Sequence, residues 1–167
     1  MANNFRIGLG YDIHAFTKGD HIIVGGVRIP YYKGISAHSD GDVLVHAICD
    51  SILGAAALGD IGTNFPNNDE KYRNISSLVL LKESVEKLAT AGYIPVNIDC
   101  TLICEEPKIS LHYNDIRKNI SLHTGLDINA VSVKATTNES LGTIGRKEGI
   151  AAMSITLVTS NNIQSLV

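Results

Sequence analysis

Apolar residues follow two different periods along this chain, and each period predicts a different kind of element. Around residues 5–16 and 21–32, β-branched and apolar residues recur between glycines, which is typical of strands, and the Gly25-Gly26 pair predicts a tight turn between two of them. Three later stretches predict strands as well, over 97–104, 131–137 and 150–158.

Longer segments have apolar residues at spacings of three and four, which predicts helices over 43–59, 75–92 and 111–125. Ser39 is expected to cap the free N–H groups of the first helix, with Asp42 three residues later completing a capping-box pattern and Gly59 closing the far end. The mixture of elements predicts an α+β fold in which the helices cover one face of a sheet.

Length and charge narrow the class of protein further. A chain of 167 residues with 44% apolar residues is long enough for one core and too short for two ordinary domains, so we expect a single domain over 1–167. The net charge is -3 and the Lys and Arg residues are scattered, so no basic face is available for a nucleic acid or an anionic membrane. No apolar run approaches the roughly 20 residues of a membrane span.

Cysteine usage suggests a reducing compartment. Cys49, Cys100 and Cys104 are odd in number and lack the C-x-x-C spacing of a zinc ribbon or redox pair. The beginning of the sequence has no charged region followed by an apolar stretch. We therefore expect a cytoplasmic protein whose cysteines are small buried residues.

Two groups of polar residues point to a metal site. Asp12 and His14 lie two apart in a predicted strand, so both side chains face the same side of the sheet. Asp42, His46 and Asp50 lie four apart and form one stripe on the first helix, which by itself is also typical of a solvent-exposed face. Combined, Asp12, His14 and His46 can bind zinc and leave its fourth position open, with Asp50 or a backbone carbonyl orienting an imidazole.

Polar loops provide further candidates. Asp60 and Asp69 lie in a turn-rich segment that can hold an oxygen-rich ligand or be an ordinary polar turn. The segment 134–149 combines hydroxyls, Glu139, glycines and Arg146, a set that suits phosphate oxygens and a hard cation such as Mg2+ but also occurs in solvated loops. Lys108 can contact a phosphate or simply be exposed.

Four segments together resemble the 2-C-methyl-D-erythritol 2,4-cyclodiphosphate synthases of the non-mevalonate isoprenoid pathway: GLGYDIHAF, AHSDGDVLVHAICDSILGAAALGDIG, EPK and KATTNESLGTIGRKEGIA. The resemblance extends from about Arg6 to Ala151. It implies a homotrimer of ferredoxin-like subunits with each active site between two neighbours. It also implies an enzyme that converts 4-diphosphocytidyl-2-C-methyl-D-erythritol 2-phosphate into the cyclic diphosphate and releases CMP.

The resemblance assigns roles to individual residues. Asp12, His14 and His46 are the implied zinc ligands, Glu139 a ligand of Mg2+ or Mn2+, and His38 and Thr137 the residues that steady the phosphates during transfer. The implied substrate contacts are Asp12, His14, His38, Ser39, Asp60, Ile61, Gly62, Phe65, Asp69, Cys104, Pro107, Lys108, Ser110, Thr136, Thr137, Glu139, Thr143 and Arg146.

Three positions depart from the family pattern, and two other functions stay open. Asn67 stands where an acid is frequent, Asn138 where a threonine is frequent, and Thr143 where a phenylalanine lines the axial cavity of some members. The rival interpretations are a metal-dependent phosphohydrolase, in which metal-bound water attacks, and a non-catalytic, zinc-stabilised nucleotide-binding trimer.

Overall fold

Within the part of the chain that the structure describes, seven strands form one large sheet and one separate hairpin. The structure, a computed structural model, describes residues 4–37, 39–66, 69–72 and 75–161. The strands are β1 Phe5–Lys18, β2 His21–Val24, β3 Val27–Pro30, β4 Lys33–Ile35, β5 Tyr93–Ile103, β6 Val131–Thr136 and β7 Gly149–Ser160. The large sheet has the order β4-β1-β7-β5-β6, in which only β5 and β6 pair in parallel. β2 and β3 form the predicted hairpin around Gly25 and Gly26.

The same described residues include three long α-helices and two short ones. They are α1 Val43–Ala55, α2 Ile61–Asn64, α3 Ser77–Thr90, α4 Tyr113–Thr124 and α5 Gly142–Gly145. The three long helices lie in the predicted segments, so the mixed α+β prediction is confirmed. The strand β4 and the two short helices were not predicted, because three or four residues are too few for a period to be recognised.

The prediction for the ends of α1 is wrong. Asp42, not Ser39, is the N-cap, and its carboxylate accepts hydrogen bonds from the backbone N–H groups of Val45, Gly25 and Gly26. The helix ends at Ala55 rather than at Gly59. The reason at the N-terminus is that a fully buried carboxylate with three backbone donors satisfies both the helix start and the hairpin turn.

The two faces of the large sheet are chemically different. One face carries the helices and the hydrophobic core, to which β5 contributes Ile98, Cys100 and Leu102. The other face exposes large apolar side chains of β1 and β7, namely Phe5, Ile7, Leu9, Tyr11, Ile13, Met153 and Ile155. Monomeric proteins rarely leave a contiguous patch of this kind in water, so this face is expected to be an interface. Among the described residues, no helix is long and apolar enough to cross a membrane.

Helix α1 lies directly on strand β1 because two glycines leave room for its backbone. A Cβ atom at Gly8 would lie 1.9 Å from the Ser51 carbonyl oxygen, and one at Gly10 would lie 1.9 Å from that of Ala47. Neither contact can be relieved by rotating a side chain, since both obstacles are backbone atoms. The sequence Gly8-x-Gly10 therefore fixes the distance between β1 and the face of α1 that carries His46.

We predict that Gly10→Ala destabilises the protein by about 3 kcal/mol or more, because the added methyl group forces α1 away from β1. Gly54→Ala is the matched control, since Gly54 is an exposed residue of the same helix with no atom within 4 Å of the added Cβ. That variant should gain up to about 1 kcal/mol through its better helix propensity. Urea unfolding measures both, and equal effects would contradict the steric explanation.

Candidate metal centre

Asp12, His14 and His46 converge at one point between β1 and α1. The Oδ2 atom of Asp12 lies 3.0 Å from Nε2 of His14 and 3.0 Å from Nδ1 of His46. The two ring nitrogens are 3.2 Å apart. Among the residues that the structure describes, this is the one cluster of His, Cys, Asp or Glu with potential metal-ligand geometry. The sequence prediction that these three side chains come together is therefore confirmed.

The distances between these three ligand atoms fit a small cation with tetrahedral coordination. Ligand atoms about 2.0–2.1 Å from zinc lie about 3.3 Å from one another at tetrahedral angles, close to the 3.0–3.2 Å found here. Two imidazole nitrogens and one carboxylate oxygen are also ligands that zinc commonly takes. Three ligands leave one coordination position for a substrate oxygen, as in catalytic rather than structural sites.

The electrostatics of the cluster favour a cation. Burial opposes ionisation of Asp12, but hydrogen bonds and charge from His14 and His46 outweigh it and hold the pKa of that carboxyl well below its usual range. Burial likewise disfavours the charged form of His46, yet the hydrogen bond and charge of Asp12 raise its pKa above the ordinary 6.5. The partly buried Asp12 carboxylate thus favours a positive charge beside it, from a proton on His46 or from a bound cation.

His46 is held from behind by two serines. Its Nε2 atom lies 2.9 Å from Oγ of Ser77 and 3.2 Å from Oγ of Ser39. Asp50, which was expected to orient an imidazole, instead accepts a hydrogen bond of 2.7 Å from the backbone N–H of Ile61. The expected role of Asp50 is thus wrong: its carboxylate binds the start of α2, and burial raises its pKa.

The segment after α1 is a tightly hydrogen-bonded turn. Asp60 caps α2 by accepting from the N–H of Thr63 at 2.7 Å, and Asp69 accepts from the N–H of Lys71 at 3.0 Å. Ile61 is half-buried and Gly62 is exposed. The side chain of Phe65 is 3% exposed and packs against Tyr72, so it belongs to the core rather than to an open binding surface.

The loop after β6 holds the hydroxyl and carboxylate groups that the sequence singled out. Thr137 donates a hydrogen bond of 2.5 Å to Glu139, and both side chains are exposed. Glu139 and Ser140 have positive φ angles of 50° and 63°, which non-glycine residues seldom adopt. The carboxylate of Glu105 accepts from the N–H groups of Asn138 and Ser140 and so supports this conformation.

The remaining candidates surround that loop. Thr136 ends β6, Thr143 is exposed in α5, and Arg146 forms an exposed ion pair with Glu148. Cys104 is buried, and its backbone N–H binds the carbonyl of Thr136, which ties the segment 104–110 to the same loop. Within that segment, the bond before Pro107 is cis, while Lys108 and Ser110 are exposed. Burial raises the pKa of Cys104 to about 11, so its thiol is a packing group.

Within one chain, the cluster of Asp12, His14 and His46 lies apart from the loop after β6 that carries Thr137 and Glu139. Ile13 pairs with Ala151, Ala151 with Ile103, and Ile103 with Thr136, so strands β7 and β5 separate the cluster on β1 from the loop after β6. Three interstrand steps of about 4.8 Å put roughly 14 Å between them. Glu139 is accordingly not part of the group of potential metal ligands formed by Asp12, His14 and His46. His38 and Asn67 lie outside the described residues.

The structural roles of three residues were not predicted from the sequence: Asp40, Ser77 and Glu105. The first two contact His46 or its partner, and the third supports the Thr137–Glu139 loop. Asp40 and Ser77 are 37 positions apart, so no local spacing connects them. For Asp40, the one indication in the sequence was its position next to Ser39, the predicted N-cap.

Comparison with known proteins gives consistent matches over nearly the whole chain. The sequence profile of the YgbB family matches residues 5–159. A 2-C-methyl-D-erythritol 2,4-cyclodiphosphate synthase from Thioalkalivibrio sulfidiphilus is 52% identical over 157 residues, which cover 94% of this chain and 98% of the relative. The enzyme of the same name from Clostridium beijerinckii is 51% identical over 155 residues, covering 93% and 98%.

Solved structures agree with these relatives. The bifunctional IspDF from Campylobacter jejuni superimposes with a TM-score of 0.91 at 40% identity, covering 95% of this chain and 43% of that protein. The IspF of Plasmodium falciparum in complex with CDP superimposes with a TM-score of 0.83 at 38% identity, covering 97% and 100%.

The raised pKa of His46 leads to a prediction about pH. A metal must displace the proton of this ring, so the apparent zinc affinity should fall as pH decreases through the raised pKa, by up to about tenfold per pH unit below it. Asp12, whose pKa is lowered, stays ionised and adds no dependence between pH 5 and 8. Chelator competition at several pH values, corrected for the chelator's own protonation, measures this. A flat profile would contradict zinc binding through the imidazole of His46.

Proposed function

This chain belongs to the YgbB family, and we propose that it converts 4-diphosphocytidyl-2-C-methyl-D-erythritol 2-phosphate into 2-C-methyl-D-erythritol 2,4-cyclodiphosphate with release of CMP. The main support is the three-ligand cluster of Asp12, His14 and His46 in a chain about half identical to synthases of that name over nearly its full length. The proposal includes one domain over 1–167, a cytoplasmic location and the non-mevalonate isoprenoid pathway.

The proposed reaction is an internal phosphoryl transfer. An oxygen of the 2-phosphate attacks the β-phosphorus of the cytidine diphosphate group, and the bond between that phosphorus and the bridging oxygen breaks. CMP leaves with the bond electrons. Since the nucleophile is already an ionised phosphate, no general base is needed, and catalysis depends on positioning and on charge neutralisation.

Two groups of residues would bind the cations that neutralise the phosphate charge. Asp12, His14 and His46 would hold zinc, and Glu139 would hold Mg2+ or Mn2+. These cations, when bound, neutralise phosphate charge and act as Lewis acids. Thr137, with its hydroxyl beside Glu139, and His38, next to Ser39, are the residues we assign to the transferring phosphates. A protein with a net charge of -3 needs such cations to bind an anionic substrate.

The nucleotide and the methylerythritol part have separate candidate regions. The turn that contains Asp60, Gly62 and Asp69 lies next to α1 and is assigned to the methylerythritol part. The segment 104–110 is assigned to the cytidine part, and its tie to the loop after β6 supports a continuous surface for nucleotide and phosphates. The solved IspF from Plasmodium falciparum, a CDP complex, is consistent with a cytidine nucleotide as ligand.

A ring of three subunits explains how the two regions meet. In one chain they are roughly 14 Å apart across two intervening strands, so a complete site needs the metal cluster of one subunit and the Glu139 loop of its neighbour. The exposed apolar face of β1 and β7 supplies a surface for this association. We therefore propose a homotrimer of ferredoxin-like subunits with an active site at each junction.

The first prediction for this function concerns the products. Incubation with the cytidine diphosphate substrate and Mg2+ should release CMP and the cyclic diphosphate in equal amounts, which phosphorus NMR resolves. A phosphohydrolase would give linear phosphate products instead. A nucleotide-binding trimer without activity would leave the substrate unchanged, so the same spectrum distinguishes all three functions.

The second prediction tests the shared site. His46→Ala and Glu139→Ala proteins, each inactive, are unfolded together in equal amounts and reassembled. About three quarters of the rings are then mixed, and each mixed ring has one junction with both halves intact, so activity should recover to roughly a quarter of wild type. Sites built within single subunits would recover nothing.

The matched control mixes His46→Ala with His14→Ala. Both changes damage the metal cluster, so no junction in any ring regains an intact metal half, and activity should stay at background. Native mass spectrometry confirms that mixed trimers form in both experiments. Inactive mixed trimers of the first pair would contradict the inter-subunit site.

A further inference from the structure

We infer that Ser77 and Asp40 are positioning residues that fix the tautomer and the orientation of His46, so that its Nδ1 lone pair points to the metal position beside Asp12 and His14. The inference rests on the metal site of the proposed function. Ser77 is the first residue of α3, and Asp40 lies in the segment just before α1, so the pair connects two helices behind the imidazole.

The hydrogen bonds around Ser77 have a fixed direction. Its hydroxyl donates to Oδ1 of Asp40, in the shortest contact of this group, and its backbone N–H donates to Oδ2 at 2.9 Å. An ionised carboxylate can only accept, so the single hydroxyl hydrogen of Ser77 is used by Asp40. The contact of 2.9 Å between Ser77 Oγ and His46 Nε2 therefore needs its hydrogen from the ring.

A hydrogen on Nε2 leaves Nδ1 of the neutral ring unprotonated, and Nδ1 is the atom that faces Asp12 and His14. Asp40 thus orients the hydroxyl of Ser77, and that hydroxyl oxygen in turn accepts the hydrogen of Nε2 of His46. Metal-binding histidines commonly donate their second ring N–H to such a partner, which fixes both tautomer and ring orientation.

Ser39 does not give the same constraint. Its Oγ lies 3.2 Å from Nε2 of His46 and accepts from the N–H of Gly41 at 3.3 Å, but among the described residues no carboxylate determines where its own hydrogen points. Ser39 can therefore act as donor or acceptor toward the ring. Ser77 is fully buried and bound through two atoms to Asp40, which makes it the acceptor with a defined direction toward Nε2.

The first variant is Ser77→Ala, which removes the acceptor for the ring N–H. We expect its zinc affinity to fall about 10–100-fold, the usual effect of losing a partner behind a metal-binding histidine. Ser84→Ala is the matched control: Ser84 is a fully buried serine of the same helix, whose hydroxyl binds the Leu80 carbonyl and not His46. Its zinc affinity should stay within about twofold of wild type.

The second variant is Asp40→Asn, which has nearly the same shape but can place an amide N–H toward Ser77. The Ser77 hydroxyl hydrogen is then free to point to Nε2 of His46, which favours the tautomer with hydrogen on Nδ1 and blocks the ligand atom. In the metal-free protein Asp12 competes for the ring hydrogen at Nδ1, so imidazole 15N and 1H chemical shifts are measured on the zinc-bound protein. We expect a hydrogen-bonded Nε2–H of His46 in wild type and in Ser84→Ala, and a weakened Nε2–H hydrogen bond in Asp40→Asn.

Zinc dissociation constants from chelator competition and folding by circular dichroism complete the test. Normal zinc affinity in Ser77→Ala and Asp40→Asn would overturn the inference, and so would an equal loss in Ser84→Ala. If Ser77→Ala does not fold, the Nε2–H hydrogen bond and the zinc affinity of Asp40→Asn decide. Wild-type protein that binds no zinc would overturn the proposed metal site itself, whereas normal wild-type binding with unchanged variants overturns only the role of Ser77 and Asp40.

Discussion

The direct contact between β1 and α1 determines where the three candidate metal ligands lie. Gly8 and Gly10 face α1 and have no Cβ atom. The helix backbone therefore contacts the strand backbone directly, with no side chain between them. Asp12 and His14 follow on the same face of the strand, where His46 is close enough for its ring nitrogen to reach both. A wider gap would separate the three ligand atoms and remove the cation site. The glycines are therefore as necessary to the site as the ligands.

The second constraint is the width of the sheet. Side chains on β1 and on the loop after β6 lie at the same end of the sheet, but β7 and β5 lie between them. Meanwhile, the sheet face opposite the helices exposes Ile7, Leu9 and Tyr11 on β1. The exposed apolar face and the separation of the two groups of candidate residues are both consistent with the proposed arrangement, in which neighbours associate and share active sites.

Sequence reasoning found the residues whose partners follow from local periods and missed those whose partners depend on tertiary contacts. Asp12 and His14 share a strand face by their spacing, and His46 was recognised from its place on a helix stripe. The same stripe suggested Asp50 as the partner of an imidazole, but spacing cannot show that the N–H of Ile61 lies closer to that carboxylate. Ser77 was invisible for the same reason, since 31 residues separate it from His46. The N-cap of α1 was misplaced because Asp42 also binds the turn at Gly25 and Gly26.

The four residues from Ser39 to Asp42 show why the motif around them is so specific. Ser39 approaches Nε2 of His46, Asp40 holds the start of α3 through Ser77, and Asp42 caps α1 while binding the β2–β3 turn. Gly41 between them has a φ of 71°, a conformation that favours glycine and lets the neighbouring side chains reach three different elements. A substitution at any of these positions changes a different contact. Together they hold the start of α1, so His46 is fixed both by the packing of α1 on β1 and by hydrogen bonds to its Nε2 atom.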